Sequence, residues 1–140
     1  GLRTAVLPTI TPASPGMVLV VDDEPAVCDT VVDILELEDI QTITAVDGAS
    51  GIAAYQQYRE HIGLVLLDLT LPDLRGEEVF NHLKALDPHV QVILSSGYNE
   101  MEALRGFNDD LVAFLQKPYS LEDLVKIVRQ HLPTATSNHP

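Results

Sequence analysis

At 140 residues, 46% of them apolar and only 5% aromatic, the chain has the length of one domain and the composition of a Val/Leu/Ile-packed α/β core, which excludes a disordered segment. Its formal net charge of −13 argues against nucleic-acid binding, since neutralising phosphates takes a basic face, and suits a solvated acidic surface or a site that wants cations. The single Cys28 excludes an internal disulfide and fits a reducing compartment. 

No apolar run approaches the roughly 18 residues needed to span a membrane, and no charged segment followed by an apolar one marks secretion, so a cytoplasmic location is expected. The histidines are scattered without metal-ligand spacing. Residues 1–16 carry Pro8, Pro12 and Pro15 among threonines and serine, the chemistry of a linker or leader. Such a leader suggests that a domain over 17–132 follows something else in a longer chain.

Met17 to Val21 reads as a strand buried on both faces, and it ends in Asp22-Asp23-Glu24-Pro25. Asp23 or Glu24 can cap a helix whose first turn suits Pro25. Cys28, Val31, Val32 and Leu35 then share one helical face, with Cys28 a small buried thiol, while Asp29, Asp33 and Glu36 form a solvated face. Gln41 to Val46 predicts a second strand, Asp47-Gly48 a turn, and Ala49 to Tyr58 a helix.

Leu64-Val65-Leu66-Leu67 is the most apolar strand candidate and runs straight into Asp68. Leu71-Pro72-Asp73 is a loop, and Leu74 to Leu86 a third helix with Val79, Leu83 and Leu86 inward, stopped by Asp87-Pro88. Val90 to Leu94 is a fourth strand closing on Ser95-Ser96-Gly97. Asn99 caps a short helix over 100–105, which Gly106 ends. Leu111 to Leu115 is a fifth strand, followed by Gln116-Lys117-Pro118. Ser120 caps a last helix that buries Leu121, Leu124, Val125, Val128 and Leu132, and Pro133 ends it before a flexible tail over 133–140. Tyr98 and Tyr119 read as partly buried packing residues.

Buried strands alternating with amphipathic helices give a parallel sheet covered on both faces. The expected fold is a flavodoxin-like (βα)5 doubly wound parallel sheet with strand order 2-1-3-4-5. In that order, Asp22 and Asp23 (first strand), Asp68 (third), Ser95 (fourth) and Lys117 (fifth) converge at the carboxyl ends, where open α/β sheets bind ligands. Three crowded carboxylates repel and call for a cation, and hard oxygen ligands favour Mg²⁺. A lysine ammonium and a hydroxyl beside them suit a phosphoryl group, with Asp68 as the nucleophile.

Four segments in order resemble the receiver domain of two-component response regulators. Val18-Leu19-Val20-Val21-Asp22-Asp23-Glu24-Pro25 is similar to its opening acidic motif, and Leu66-Leu67-Asp68-Leu69-Thr70-Leu71-Pro72-Asp73 to its phosphoacceptor strand and loop. Val92-Ile93-Leu94-Ser95-Ser96-Gly97-Tyr98 is similar to the hydroxyl strand, and Phe114-Leu115-Gln116-Lys117-Pro118-Tyr119 to the lysine strand. The resemblance covers 17–132. It implies that Asp68 accepts a phosphoryl group from a phosphohistidine on a histidine kinase or histidine phosphotransfer protein. It implies Mg²⁺ held by Asp22, Asp23, Asp68 and the Thr70 backbone carbonyl, with Lys117 on the phosphoryl oxygens and a cis Lys117–Pro118 peptide. Ser95 and Phe114 would shift together and alter the surface of the fourth helix, fifth strand and fifth helix, where a downstream partner reads the state.

Ser95 stands where threonine is more frequent, and Ser96 is a second candidate hydroxyl; the spacing to Lys117 in the family pattern favours Ser95. Phe114 has a competing role as a plain core residue. Catalysis by the domain would amount to self-phosphorylation from the donor and autodephosphorylation. One rival is an aspartate-nucleophile phosphatase of the haloacid dehalogenase type, which needs a second acid where this chain has Thr70. Another is a receiver-like interaction module that is never phosphorylated. With no output module expected after the last helix, the leader and the Ser-Ser-Gly-Tyr variant look more like the receiver of a hybrid histidine kinase than a transcription factor.

Overall fold

The computed structural model describes residues 16–105, 107 and 113–133, and residues 2–4 by their backbone. Five strands are parallel: β2 (Met17–Val21), β3 (Thr42–Ala45), β4 (Ile62–Asp68), β5 (Val92–Ser96) and β6 (Ala113–Gln116). They run β3-β2-β4-β5-β6, the expected 2-1-3-4-5 arrangement. A strand β1 (Leu2–Thr4), inside the expected leader, adds itself antiparallel to the outer edge of β3, pairing Leu2 with Ala45 and Thr4 with Ile43. Nothing in the Pro/Thr composition around it signals that pairing. Gly1, residues 5–15, Gly106, 108–112 and 134–140 lie outside the described residues, and with them the prolines of the leader, the expected glycine stop, Leu111 and all of the tail but Pro133.

Strand alternation sorts the core into two layers. Met17, Leu19 and Val21 of β2 face α2 (Gly48–Tyr58) and α3 (Gly76–Leu86), packing with Tyr55, Val79, Phe80 and Leu83. Val18 and Val20 face α1 (Pro25–Leu37) and α5 (Leu121–His131), packing with Cys28, Val31, Leu35, Leu124 and Val128. Successive side chains of a strand point to opposite faces, so an unbroken apolar run is what a sheet covered twice demands.

Three helix starts follow from side-chain caps. Asp47 accepts from Ser50 N at 2.7 Å, Asn99 from Glu102 N, and Ser120 from Asp123 N, opening α2, α4 (Glu100–Ala103) and α5. Four expectations need correction. The fourth strand runs Val92–Ser96 instead of Val90–Leu94, taking both serines into the sheet, where Ser95 pairs with Asp68 and Leu115. α3 begins at Gly76 instead of Leu74, because Thr70 and Arg75 form an antiparallel bridge that keeps Arg75 extended. Leu121 is 54% exposed, since the first residue of α5 falls off the face that carries Leu124 and Val128. Tyr98 is 58% exposed, so it is a surface side chain and not packing.

Candidate functional site

The carboxyl ends of β2, β4, β5 and β6 lie side by side, and each delivers one of the expected groups. β4 carries Asp68 as its last residue, in register with Ser95 of β5. Lys117 N donates to Ser96 O at 2.7 Å, which fixes the lysine where β6 leaves the sheet. The peptide that follows it, Lys117–Pro118, is cis.

Asp22 and Asp68 are buried while Asp23 is exposed, and one carboxylate oxygen from each lies within 4.8 Å of the others. Lys117 Nζ reaches Asp22 Oδ2 at 2.8 Å and Asp68 Oδ2 at 3.4 Å. Glu24 makes a third contact at 3.2 Å. Glu24 does occupy the N-cap position of α1, yet its side chain makes no capping bond; the lysine draws it away.

Burial and neighbouring charge act on Asp68, Lys117 and Tyr119. Burial, and next the charge of Asp22, push the Asp68 carboxyl up to about 6, against the opposing pull of Lys117 and of the Thr70 N–H. Burial works against the Lys117 ammonium, but its hydrogen bond to Asp22 and the charges of Asp22 and Asp68 prevail and hold it above the ordinary lysine range. Tyr119, half-buried beside them, is pushed up to about 12, chiefly by burial and then by Asp22.

The two candidate hydroxyls differ sharply. Ser96 Oγ accepts from Tyr98 N at 2.9 Å and so is committed to the local turn. Ser95 Oγ is buried and has no hydrogen-bond partner among the described residues. A buried hydroxyl without a partner costs free energy, so an acceptor brought to Asp68 would relieve it. An all-oxygen donor set of three acids, with an ammonium and an orphaned hydroxyl at its rim, fits a hard divalent cation and a phosphoryl group. The Thr70 N–H lies 3.4 Å from Asp68 Oδ1, at the start of the adjoining loop. Phe114 is partly buried against the α2/α3 core layer.

The family model for the response regulator receiver domain matches residues 18–129. The chain belongs to that family. Among curated relatives, this receiver domain is 37% identical over 119 residues to the regulatory protein TcrX of Mycobacterium tuberculosis, covering 82% of this chain and 49% of TcrX. It is 25% identical over 117 residues to sporulation initiation phosphotransferase F of Bacillus subtilis, covering 83% of this chain and 93% of that one. Among solved structures, the receiver domain of NtrX from Brucella abortus superposes with a TM-score of 0.72 at 31% identity, over 82% of this chain and 97% of that one. A CheY-like receiver domain protein from Methanospirillum hungatei gives 0.74 at 30% identity, over 84% and 93%. The chain thus spans about half the length of TcrX and nearly all of the phosphotransferase.

Two residues at the site were not singled out from the sequence for the contacts they make. Glu24 was legible only as a helix cap, because its partner Lys117 is 93 positions away. Asp73 was legible only as a loop residue, and its partners are the first amides of α2. The acids Asp29, Asp33 and Glu36 are exposed, on the outer face of α1. Beside the site, a groove of about 550 Å³ runs between α1 and the Lys117 loop, lined by Ala26, Val27, Thr30, Pro118 and Tyr119 among others.

Proposed function

We propose that this receiver domain takes a phosphoryl group onto Asp68 from a phosphohistidine of a histidine kinase or histidine phosphotransfer protein. An Asp68 oxygen attacks phosphorus, the P–N bond breaks, and the imidazole nitrogen leaves with its electron pair. The observation that carries this reading is the approach of Lys117 Nζ to both Asp22 and Asp68, at 2.8 and 3.4 Å, beside the unpartnered Ser95 hydroxyl. Lys117 would neutralise one phosphoryl oxygen and Ser95 would donate to another. Asp22, Asp23, Asp68 and the Thr70 carbonyl would hold Mg²⁺, which when bound offsets charge on the carboxylates and the incoming phosphoryl group.

The groove along α1 offers the donor an apolar footing that ends at Lys117 and Glu24. Ser95 moving toward the phosphoryl group would let Phe114 follow, changing the face of α4, β6 and α5 that a downstream partner reads. No helix among the described residues is long and apolar enough to cross a membrane, and a cytoplasmic setting agrees with a phosphohistidine donor. The haloacid dehalogenase alternative lacks its second acid, since position 70 is threonine.

The test is incubation with acetyl phosphate and Mg²⁺, followed by intact mass measurement. The chain is expected to gain one phosphoryl group that hydroxylamine removes, and Asp68→Asn to gain none. Modification that persists in Asp68→Asn, or steady turnover of generic phosphate esters, would overturn the reading.

A further inference from the structure

The loop that follows Asp68 is closed on itself. Thr70 and Arg75 form an antiparallel bridge, and Gly76 N donates to Leu69 O at 3.0 Å. A Cβ on Gly76 would lie 2.8 Å from Leu69 Cα, so the approach is one that only glycine allows.

The tip of this loop is tied to a different helix. Asp73 Oδ1 accepts from Gly48 N at 2.7 Å and Oδ2 from Ala49 N at 2.9 Å, with Leu74 N also donating to Oδ1 at 2.9 Å. Gly48 and Ala49 open α2, where backbone N–H groups have no acceptor within the helix. These bonds hold the exposed Asp73 carboxyl below the usual carboxylate range. The contact is close on both sides, for a Cβ on Gly48 would meet Leu74 Cβ and Val79 Cγ2 at 2.9 Å.

Helix stability alone does not ask for this arrangement. α2 already has a cap of its own in Asp47, which accepts from Ser50 N. The second carboxylate comes from 25 positions along the chain, out of the loop that carries Thr70.

We infer that Asp73 is a positioning residue for the cation site: by anchoring the 69–76 loop to the N-terminus of α2, it sets where the Thr70 carbonyl points. This rests on the reading of Thr70 as a Mg²⁺ ligand. A backbone carbonyl has no rotamers with which to adapt; its direction is that of the loop. Mg²⁺ tolerates little departure from octahedral geometry, so freedom in the loop subtracts from affinity. The coupling is reciprocal: a cation that fixes Thr70 must also steady the loop tip against Gly48 and Ala49.

The experiment compares the full chain with Asp73→Ala, Asp73→Asn and Asp47→Ala. Mg²⁺ affinity is measured by calorimetry, and exchange of the Gly48 and Ala49 amides by hydrogen–deuterium NMR. Asp47→Ala and Asp73→Ala each remove one cap of the same helix, so both are expected to melt lower without metal. Only Asp73→Ala is expected to weaken Mg²⁺ binding, by about tenfold, the low end of what losing an outer-shell partner costs. Asp73→Asn keeps one acceptor oxygen and should fall between. In the unaltered chain, Mg²⁺ is expected to slow exchange at Gly48 and Ala49. Equal Mg²⁺ affinity in the Asp73 and Asp47 variants, or exchange that Mg²⁺ leaves unchanged, would overturn the inference while leaving the site reading in place. A full chain that binds no Mg²⁺ would overturn both. Should Asp73→Ala fail to fold, Asp73→Asn and the exchange measurement decide.

Discussion

Asp68 is held against its own ionisation, and that has a measurable cost. Its folded carboxyl titrates near 6, above the unfolded value of 3.8, so the folded state binds this proton more tightly than the unfolded chain. The stability it contributes is complete below about 4 and is lost as pH rises through about 6. Asp68→Asn removes that loss, and Lys117 keeps its 2.8 Å bond to Asp22. In metal-free urea melts, the variant is expected to exceed the parent by on the order of 1–2 kcal/mol at pH 7.5, with the gap closing toward pH 4. A gap that stays constant across that range would refute the electrostatic account. The paired serines give a second contrast. Ser95→Ala should leave stability unchanged or raised, since Ser95 Oγ has no partner to lose among the described residues, while Ser96→Ala should cost about 1 kcal/mol for the bond to Tyr98 N. Phosphorylation from acetyl phosphate should slow in the first and not in the second. Asp22, Asp68, Ser95 and Lys117 could be read from the sequence because each stands at or beside the carboxyl end of an apolar strand. Glu24 and Asp73 could not, because their contacts exist only once distant segments meet.

At the scale of elements, the alternation of strands and helices was legible because a doubly covered sheet writes itself as uninterrupted apolar runs. β4 shows this best: six of its seven residues, from Ile62 to Asp68, are buried and only Gly63 is partly so. Element ends were less legible, since tertiary bridges and not propensity decide them, as at Leu74 and Arg75. β1 was not legible at all, for pairing on an open edge needs only backbone groups and leaves no side-chain signature. The helix α5 turns the same point into a prediction. Periodicity placed Leu121 and Leu124 on one buried face, whereas Leu121 is 54% exposed and Leu124 fully buried. Leu124→Ala is therefore expected to cost about 2–5 kcal/mol and Leu121→Ala within about 0.5 kcal/mol, read from chemical denaturation midpoints at constant slope. Similar losses at both positions would mean that α5 sits rotated from the orientation described.

For the whole molecule, the question is whether its charge is general or local. A net charge of −13 spread over a surface is relieved by any salt, because exposed charges are screened beyond about 10 Å at 0.1 M ionic strength. The oxygens of Asp22, Asp23 and Asp68 lie within 4.8 Å of one another, inside that screening length. Salt cannot relieve a repulsion at such range, whereas a cation seated among them can. Any ligand that binds the folded chain alone stabilises it as the logarithm of its concentration over the dissociation constant. Millimolar MgCl₂ is therefore expected to raise the melting temperature well beyond NaCl of matched ionic strength, with continued increase as Mg²⁺ is added. Asp23→Asn should raise the metal-free melting temperature while reducing the excess gained from Mg²⁺. The two effects have opposite signs, which separates a site from a surface: removing a carboxylate from a diffuse acidic face would help stability without singling out Mg²⁺. An equal response to Mg²⁺ and to matched NaCl in the parent chain would place the cation demand on the surface as a whole, and the cluster at the sheet's edge would lose its claim to be a metal site.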